Sequence, residues 1–184
     1  MNSNGWQHQA QIFWITGLSA SGKSTLAQAL AATLRVHSTP VAVLDGDELR
    51  QGLCADLGLS EADRHENVRR AGEAARLMLN AGLTVICALI SPYRAGREQL
   101  RSRFPDGSFT EIYLSPPLQT CIDRDPKGLY KKALTGQIQG MTGLDAPYEA
   151  PQNPEFNFDT SQLSVQQIIT TVLADQGKQE RTQP

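Results

Sequence analysis

Residues 17–24 read Gly-Leu-Ser-Ala-Ser-Gly-Lys-Ser, the spacing G-x-x-x-x-G-K-S, and they sit between two segments of opposite character. The apolar run from Gln11 through Thr16 precedes them, and the helix-forming run Thr25 to Ala32 follows. Strand, glycine loop and helix in that order are the context in which this spacing makes a phosphate cradle. The glycines let the backbone curl until several N–H groups face one anion, and a helix starting at Lys23 adds its positive end. Gly17, Leu18, Ser19, Ala20, Ser21, Gly22, Lys23, Ser24 and Thr25 are therefore the expected binding loop for the phosphates of a nucleoside triphosphate. Lys23 reaches the terminal phosphates in this reading, and the Ser24 hydroxyl holds Mg²⁺.

The other apolar runs, Val41–Leu44, Leu83–Ile90 and Ile112–Leu114, alternate with helical stretches. Continuous rather than alternating apolarity suits strands covered on both faces, so a parallel α/β sheet is expected. The longest helix is predicted over Glu61 to Asn80, with Val68, Ala71, Ala75 and Met78 on one stripe and Ala81-Gly82 at its end. Arg94 to Phe104 reads as a charged surface helix, Phe156–Phe158 as a last short strand, and Ser164 to Ala174 as a closing helix. Lys127 to Pro154 has little periodicity and is rich in Gly, Lys and Pro, which marks a lid or binding loop. At 184 residues the expectation is one domain, with a core near 11–175 and frayed tails at 1–9 and 177–184.

Composition narrows the partners. A net charge of −2 leaves no basic footprint for nucleic acid. Leu83–Ile90 is far too short for a bilayer span, and Met1 to Gln9 has no signal-peptide apolar core. Cys54, Cys87 and Cys121 are odd in number and share no C-x-x-C spacing, as expected of reduced thiols in the cytoplasm.

Ligands of open parallel sheets bind at the carboxyl ends of the strands. After the second strand comes Asp45-Gly46-Asp47. The two carboxylates read either as a turn with Asp47 capping a helix, or as an acceptor for an attacking hydroxyl beside an anchor for hydrated Mg²⁺. Arg64 and Asn67 share a helix face, and with Arg50 they suit an anionic group next to a sugar or base. Arg69 and Arg70 read as solvated, at least one of them, and His65 as exposed. Ser91, where many proteins with this loop carry an Asp, either breaks the strand before Pro92 or touches the acceptor. Arg and Lys near Arg124 and Lys127 are placed to close over a triphosphate, while Lys131-Lys132 reads as a solvated patch. Asp125 to Gly128 also fits D-x-x-G, but no N-K-x-D follows to read guanine.

Taken together, these strings resemble the adenylylsulfate (APS) kinase family. The resemblance lies in the glycine loop and D-G-D, then in Asp56-Leu57-Gly58-Leu59-Ser60 with Asp63-Arg64 and Glu66-Asn67. It continues through Ile90-Ser91-Pro92-Tyr93-Arg94-Ala95, Arg124 to Ala133, Thr142-Gly143 and Pro147-Tyr148-Glu149-Ala150-Pro151. It implies a three-layer P-loop kinase fold, with a parallel β-sheet flanked by helices and a lid segment. The implied activity is MgATP-dependent phosphorylation of the 3′-hydroxyl of APS to give 3′-phosphoadenylyl sulfate (PAPS), by a homodimer. The resemblance assigns Lys23, Asp45, Asp47 and Ser91 to the chemistry, with Asp45 and Ser24 at Mg²⁺, and Ser91 at the family's phosphoserine position. Arg124 joins the loop at ATP. Arg50, Leu59, Arg64, Asn67, Ile90, Lys127, Leu129, Met141, Thr142 and Gly143, with Asp47 and Ser91, fall to APS.

Two positions depart from the family pattern. Leu59 and Met141 stand where phenylalanines are usual, and those rings are expected to sandwich the adenine of APS. Leu and Met keep apolar contact but lose aromatic faces, and stacking is worth roughly 1–3 kcal/mol per base. The alternatives are a kinase of the same fold with another nucleotide-linked acceptor, and a nucleotide-sensing partner without turnover.

Overall fold

The computed structural model describes residues 9–179. Five parallel strands, β1 (Ile12–Gly17), β2 (Val41–Asp45), β3 (Thr84–Ala88), β4 (Phe109–Leu114) and β5 (Phe156–Phe158), form one sheet in the order β2-β3-β1-β4-β5. β1 is central, with Ile15 in register with Ala88 of β3 and Ile112 of β4. Both faces of β1 are buried, which explains its unbroken apolarity.

Alternation sends Phe13 and Ile15 to one layer, against Leu26, Leu30 and Leu34 of α1 (Lys23–Val36) and Ile168 and Val172 of α7 (Val165–Gln179). Ile12 and Trp14 face the other layer, formed by Val68, Ala71 and Ala75 of α3 (Glu61–Asn80) and Leu100 of α4 (Arg94–Arg101). Each large side chain so buried contributes about 1.5–3 kcal/mol relative to exposure. A third, small cluster of Cys121, Tyr130 and Met141 roofs the glycine loop.

α3 spans the predicted residues, capped by the Ser60 hydroxyl, which accepts from the Asp63 N–H. Elsewhere the structure redraws the sequence expectations. β3 stops at Ala88 rather than Ile90, and α7 runs five residues past Ala174, to Gln179. Three short helices had no clear period: α2 (Gly46–Gln51), α5 (Leu118–Arg124) and α6 (Leu129–Leu134). α6 lies inside the segment expected to lack regular structure, and its N-cap, Gly128, is in the left-handed conformation. The expected frayed tails fall largely on residues 1–8 and 180–184, outside the described residues. Among the described residues no helix is long and apolar enough to cross a membrane, and all three cysteines are free and buried.

Candidate active site

The carboxyl ends of the strands open into a cavity of about 700 Å³, within the range of small-molecule sites. The glycine loop forms one end through Ser19, Ala20, Gly22, Lys23, Ser24 and Thr25. Gly17, Leu18 and Ser21 are not in the cavity wall and support the loop from behind. A Cβ on Gly17 would lie 2.5 Å from the Leu114 carbonyl oxygen, so only glycine lets β1 run this close to β4 before turning. Ser21 is fully buried, and its carbonyl accepts from the Thr160 hydroxyl at 2.9 Å.

Lys23 folds its ammonium back over the loop, donating to the Leu18 carbonyl at 2.5 Å. Burial brings its pKa down to about 8, opposed by Cys121 and by the carboxylates of Asp45 and Asp47. The Ser24 hydroxyl donates to Asp45 Oδ2 at 2.5 Å. The other oxygen of Asp45 accepts from the Asp47 N–H at 2.9 Å. Asp45, not Asp47, is thus the N-cap of α2, because the strand end points its side chain back across the first turn. Capping leaves the Asp47 carboxylate free to pair with Lys127, reached across the cavity from the segment before α6.

The pairing of Ser24 and Asp45 is the chemistry that suits Mg²⁺, a hard ion that takes one or two protein oxygens and completes its shell with water and phosphate. Among the described residues no group of three or more His, Cys, Asp or Glu could hold a metal. A hydroxyl beside a carboxylate fits an ion whose remaining ligands are water and phosphate.

The opposite end is built by α3 and the 138–142 segment. Arg64, 7% exposed, has no carboxylate among its hydrogen-bond partners. It donates to the carbonyls of Leu59 at 2.9 Å and Gly140 at 2.6 Å, and to the Thr142 hydroxyl at 2.9 Å. Burial lowers its pKa from the ordinary arginine value, yet a guanidinium stays charged. One helical turn on, Asn67 is equally buried and lines the same cavity. Its Nδ2 is the buried side-chain polar atom without a partner among the described residues. Such a group costs about 1–3 kcal/mol until something accepts from it.

Arg50 also lines the cavity but donates to the Leu57 and Gly58 carbonyls, bracing the segment that carries Leu59. Leu59, 52% exposed, and Met141, 7% exposed, both face the cavity, as do Ile90, Ser91, Leu129 and Thr142. Gly143 does not, and packs on Leu18, whose Cδ2 would lie 2.8 Å from an added Cβ.

The sequence missed the side wall formed by Pro126, Thr160, Leu163 and Val165. Arg124 donates to both the hydroxyl and the carbonyl of Thr160, which ties α5 to the chain after β5. The signal was available: Thr160 follows β5, and ligands lie beyond strand ends. Arg69 and Arg70 are not merely solvated. Both pair with Glu66, and Arg70 also pairs with Asp56. His65 is half-buried, stacked on Tyr93 at 4.8 Å.

A glycine loop and a buried Arg-Asn pair lining one cavity, with Asp47 and Lys127 paired across it, suit a phosphotransfer site. The family model for adenylylsulphate kinase matches residues 9–159. The chain belongs to the adenylylsulphate kinase family. The adenylyl-sulfate kinase of Marinobacter nauticus is 50% identical over 163 residues, covering 89% of this chain and 82% of that protein. Among solved structures, the Mycobacterium tuberculosis APS kinase in complex with AMPPNP and APS superposes with a TM-score of 0.86. It is 41% identical, over 90% of this chain and 96% of that one. The hexameric APS kinase from Thiobacillus denitrificans gives 0.68 at 32% identity, over 93% of this chain and 30% of that one.

Proposed function

We propose that the chain transfers the γ-phosphoryl group of ATP to the 3′-hydroxyl of APS, giving PAPS and ADP. The observation that carries this reading is that buried Arg64 and Asn67, whose Nδ2 has no partner among the described residues, line the same cavity as the glycine loop and Asp47. A triphosphate alone would need only the loop.

The loop N–H groups and Lys23 take the β- and γ-phosphates of ATP, with Arg124, Thr160 and Leu163 on the nucleoside side. Ser24 and Asp45 would hold Mg²⁺, which would supply positive charge against the charge that develops on the transferred group. Lys23 releases the Leu18 carbonyl to do this, and the phosphates restore its full positive charge. Asp47 accepts the proton of the attacking hydroxyl or orients it, once Lys127 turns from Asp47 to the phosphates. Arg50, Arg64 and Asn67, with Ile90, Thr142 and Leu129, seat the acceptor. Leu59 and Met141 lie against its adenine. The Ser91 hydroxyl is held by Trp14 and Thr16, which suits a wall residue; direct transfer needs no phosphoserine.

A second reading keeps the reaction and changes the acceptor. It is favoured by Leu59 and Met141, which give the base two flexible aliphatic walls. ADP release with MgATP and APS, with AMP, ADP and cytidine nucleotides as competing acceptors, separates the two. Selective turnover of APS supports the first reading; ATP binding with faster turnover of another acceptor supports the second. Free buried thiols fit a cytoplasmic enzyme. We assign a homodimer, and the hexameric relative makes sedimentation velocity the test.

A further inference from the structure

Ser91 adopts φ +40°, a backbone conformation that is costly for a residue with a side chain and persists only where its surroundings impose it. Ile90, Ser91 and Pro92 together form part of the cavity wall. The surroundings that impose the turn lie behind it. Trp14 Nε1 donates to the Ser91 hydroxyl at 3.1 Å, which donates to the Thr16 hydroxyl at 3.0 Å. Thr16 in turn donates to the Ile90 carbonyl at 2.7 Å and accepts from the Tyr148 hydroxyl at 3.0 Å.

The backbone of the turn is held by Arg97. The residue belongs to the helix expected at the surface, yet it is 3% exposed. Its three guanidinium nitrogens go to three separate parts of the chain. Nε donates to Glu111 of β4 at 2.9 Å, Nη1 to the Ser91 carbonyl at 2.6 Å, and Nη2 to the Glu149 carbonyl at 2.6 Å. The guanidinium carbon lies 5.8 Å from the centre of the Tyr148 ring. The Pro92 carbonyl closes the bracket by accepting from the Glu149 N–H at 2.8 Å.

As a source of stability, a buried ion pair is often matched by well-packed apolar side chains. Apolar side chains cannot supply three directed donors in one rigid plane. We propose that Arg97 is a positioning residue for the acceptor. It fixes the strained Ser91 turn against the 147–151 segment, and so sets the wall on which the acceptor is aligned. The proposal rests on the APS kinase reading for its substrate, but the bracket can be read without one.

The test uses the full chain with Arg97→Lys, which keeps the charge and loses the fork, and Tyr148→Phe, which removes one hydroxyl. Arg97→Lys is expected to raise the KM for APS at least tenfold while the KM for ATP stays within twofold; Tyr148→Phe shifts the same way by about threefold. A merely structural role would lower kcat with both KM values unchanged, and that result overturns the proposal, as does an equal rise in both. If Arg97→Lys does not accumulate as folded protein, an unchanged KM for APS in Tyr148→Phe overturns it alone. A crystal structure of either variant reads the bracket independently of the acceptor: the Ser91 turn is expected to shift or relax towards negative φ. A wild type without APS turnover would refute the function, whereas an unmoved turn in the variants would refute the bracket.

Discussion

At the phosphate end of the cavity the Lys23 and Ser24 side chains find partners near in sequence, whereas at the acceptor end Arg64 reaches across the chain. Lys23 bonds within its own loop to Leu18, and Ser24 reaches Asp45, 21 residues on, at the end of the next strand in sequence. Arg64 reaches Thr142 and Gly140, 78 and 76 residues away, and Arg50 and Arg64 spend their donors on backbone carbonyls and the Thr142 hydroxyl rather than on carboxylates. A loop fixed by its own glycines can be shared by many phosphotransferases. An end held by two long-range bonds of one guanidinium is where selectivity can change without disturbing the chemistry.

The largest effect expected is at the phosphate end. Lys23→Ala should lower kcat by about 10³-fold, since it removes a positive charge placed where negative charge builds up. Near-normal turnover would break the glycine-loop assignment. Its thermal stability should not fall, because the substitution also relieves a charge held partly out of water. At the acceptor end, Arg64→Ala should raise the KM for APS about a hundredfold with little change for ATP. Its guanidinium ties the Leu59 carbonyl to the 140–142 segment, so its loss loosens the walls around the acceptor and removes a buried positive charge from that end. A matching rise for ATP would erase the distinction between the two ends.

Leu59→Phe is the gain-of-function counterpart. Restoring one aromatic face should lower the KM for APS about tenfold, within the range of base–aromatic stacking. No change in KM would mean that Leu59 does not meet the base. The smallest effect is a pH limb. With its pKa brought down to about 8, Lys23 in the free enzyme loses its proton as pH rises through 8. The kcat/KM for ATP should then drop about fourfold by pH 8.5 relative to its plateau. Folding stability moves the other way, rising between about 8 and the unfolded lysine value near 10.4, because the unfolded chain binds the proton more tightly there. Lys23→Arg should remove the limb in activity, and a limb that survives it belongs to another group.

How much of this was legible in the sequence follows the same division. The strand, glycine loop and α1 could be read because their contacts are near in sequence and their pattern is geometric. α3 was read end to end, since its apolar stripe is regular and Ala81-Gly82 ends it. Arg64 and Asn67 were placed together by helical spacing, but the bonds of Arg64 to the 140–142 segment were not, because nothing local marks a contact 76 residues away. α2, α5 and α6 are six or seven residues long, too short for a period to show. Arg97 was misread for a related reason. In a run with Arg94, Glu98 and Arg101 its charge looks solvated, and only the fold brings Glu111 and two carbonyls around it.

The most direct test of the account is a single-turnover transfer with γ-labelled ATP, Mg²⁺ and limiting APS, with the product identified by mass and by the position of its phosphate. Label moving to the 3′-oxygen of APS, and to AMP at least a hundredfold more slowly, is the predicted result. Label that stays on ATP, appears only as inorganic phosphate, or reaches AMP as fast as APS would contradict it.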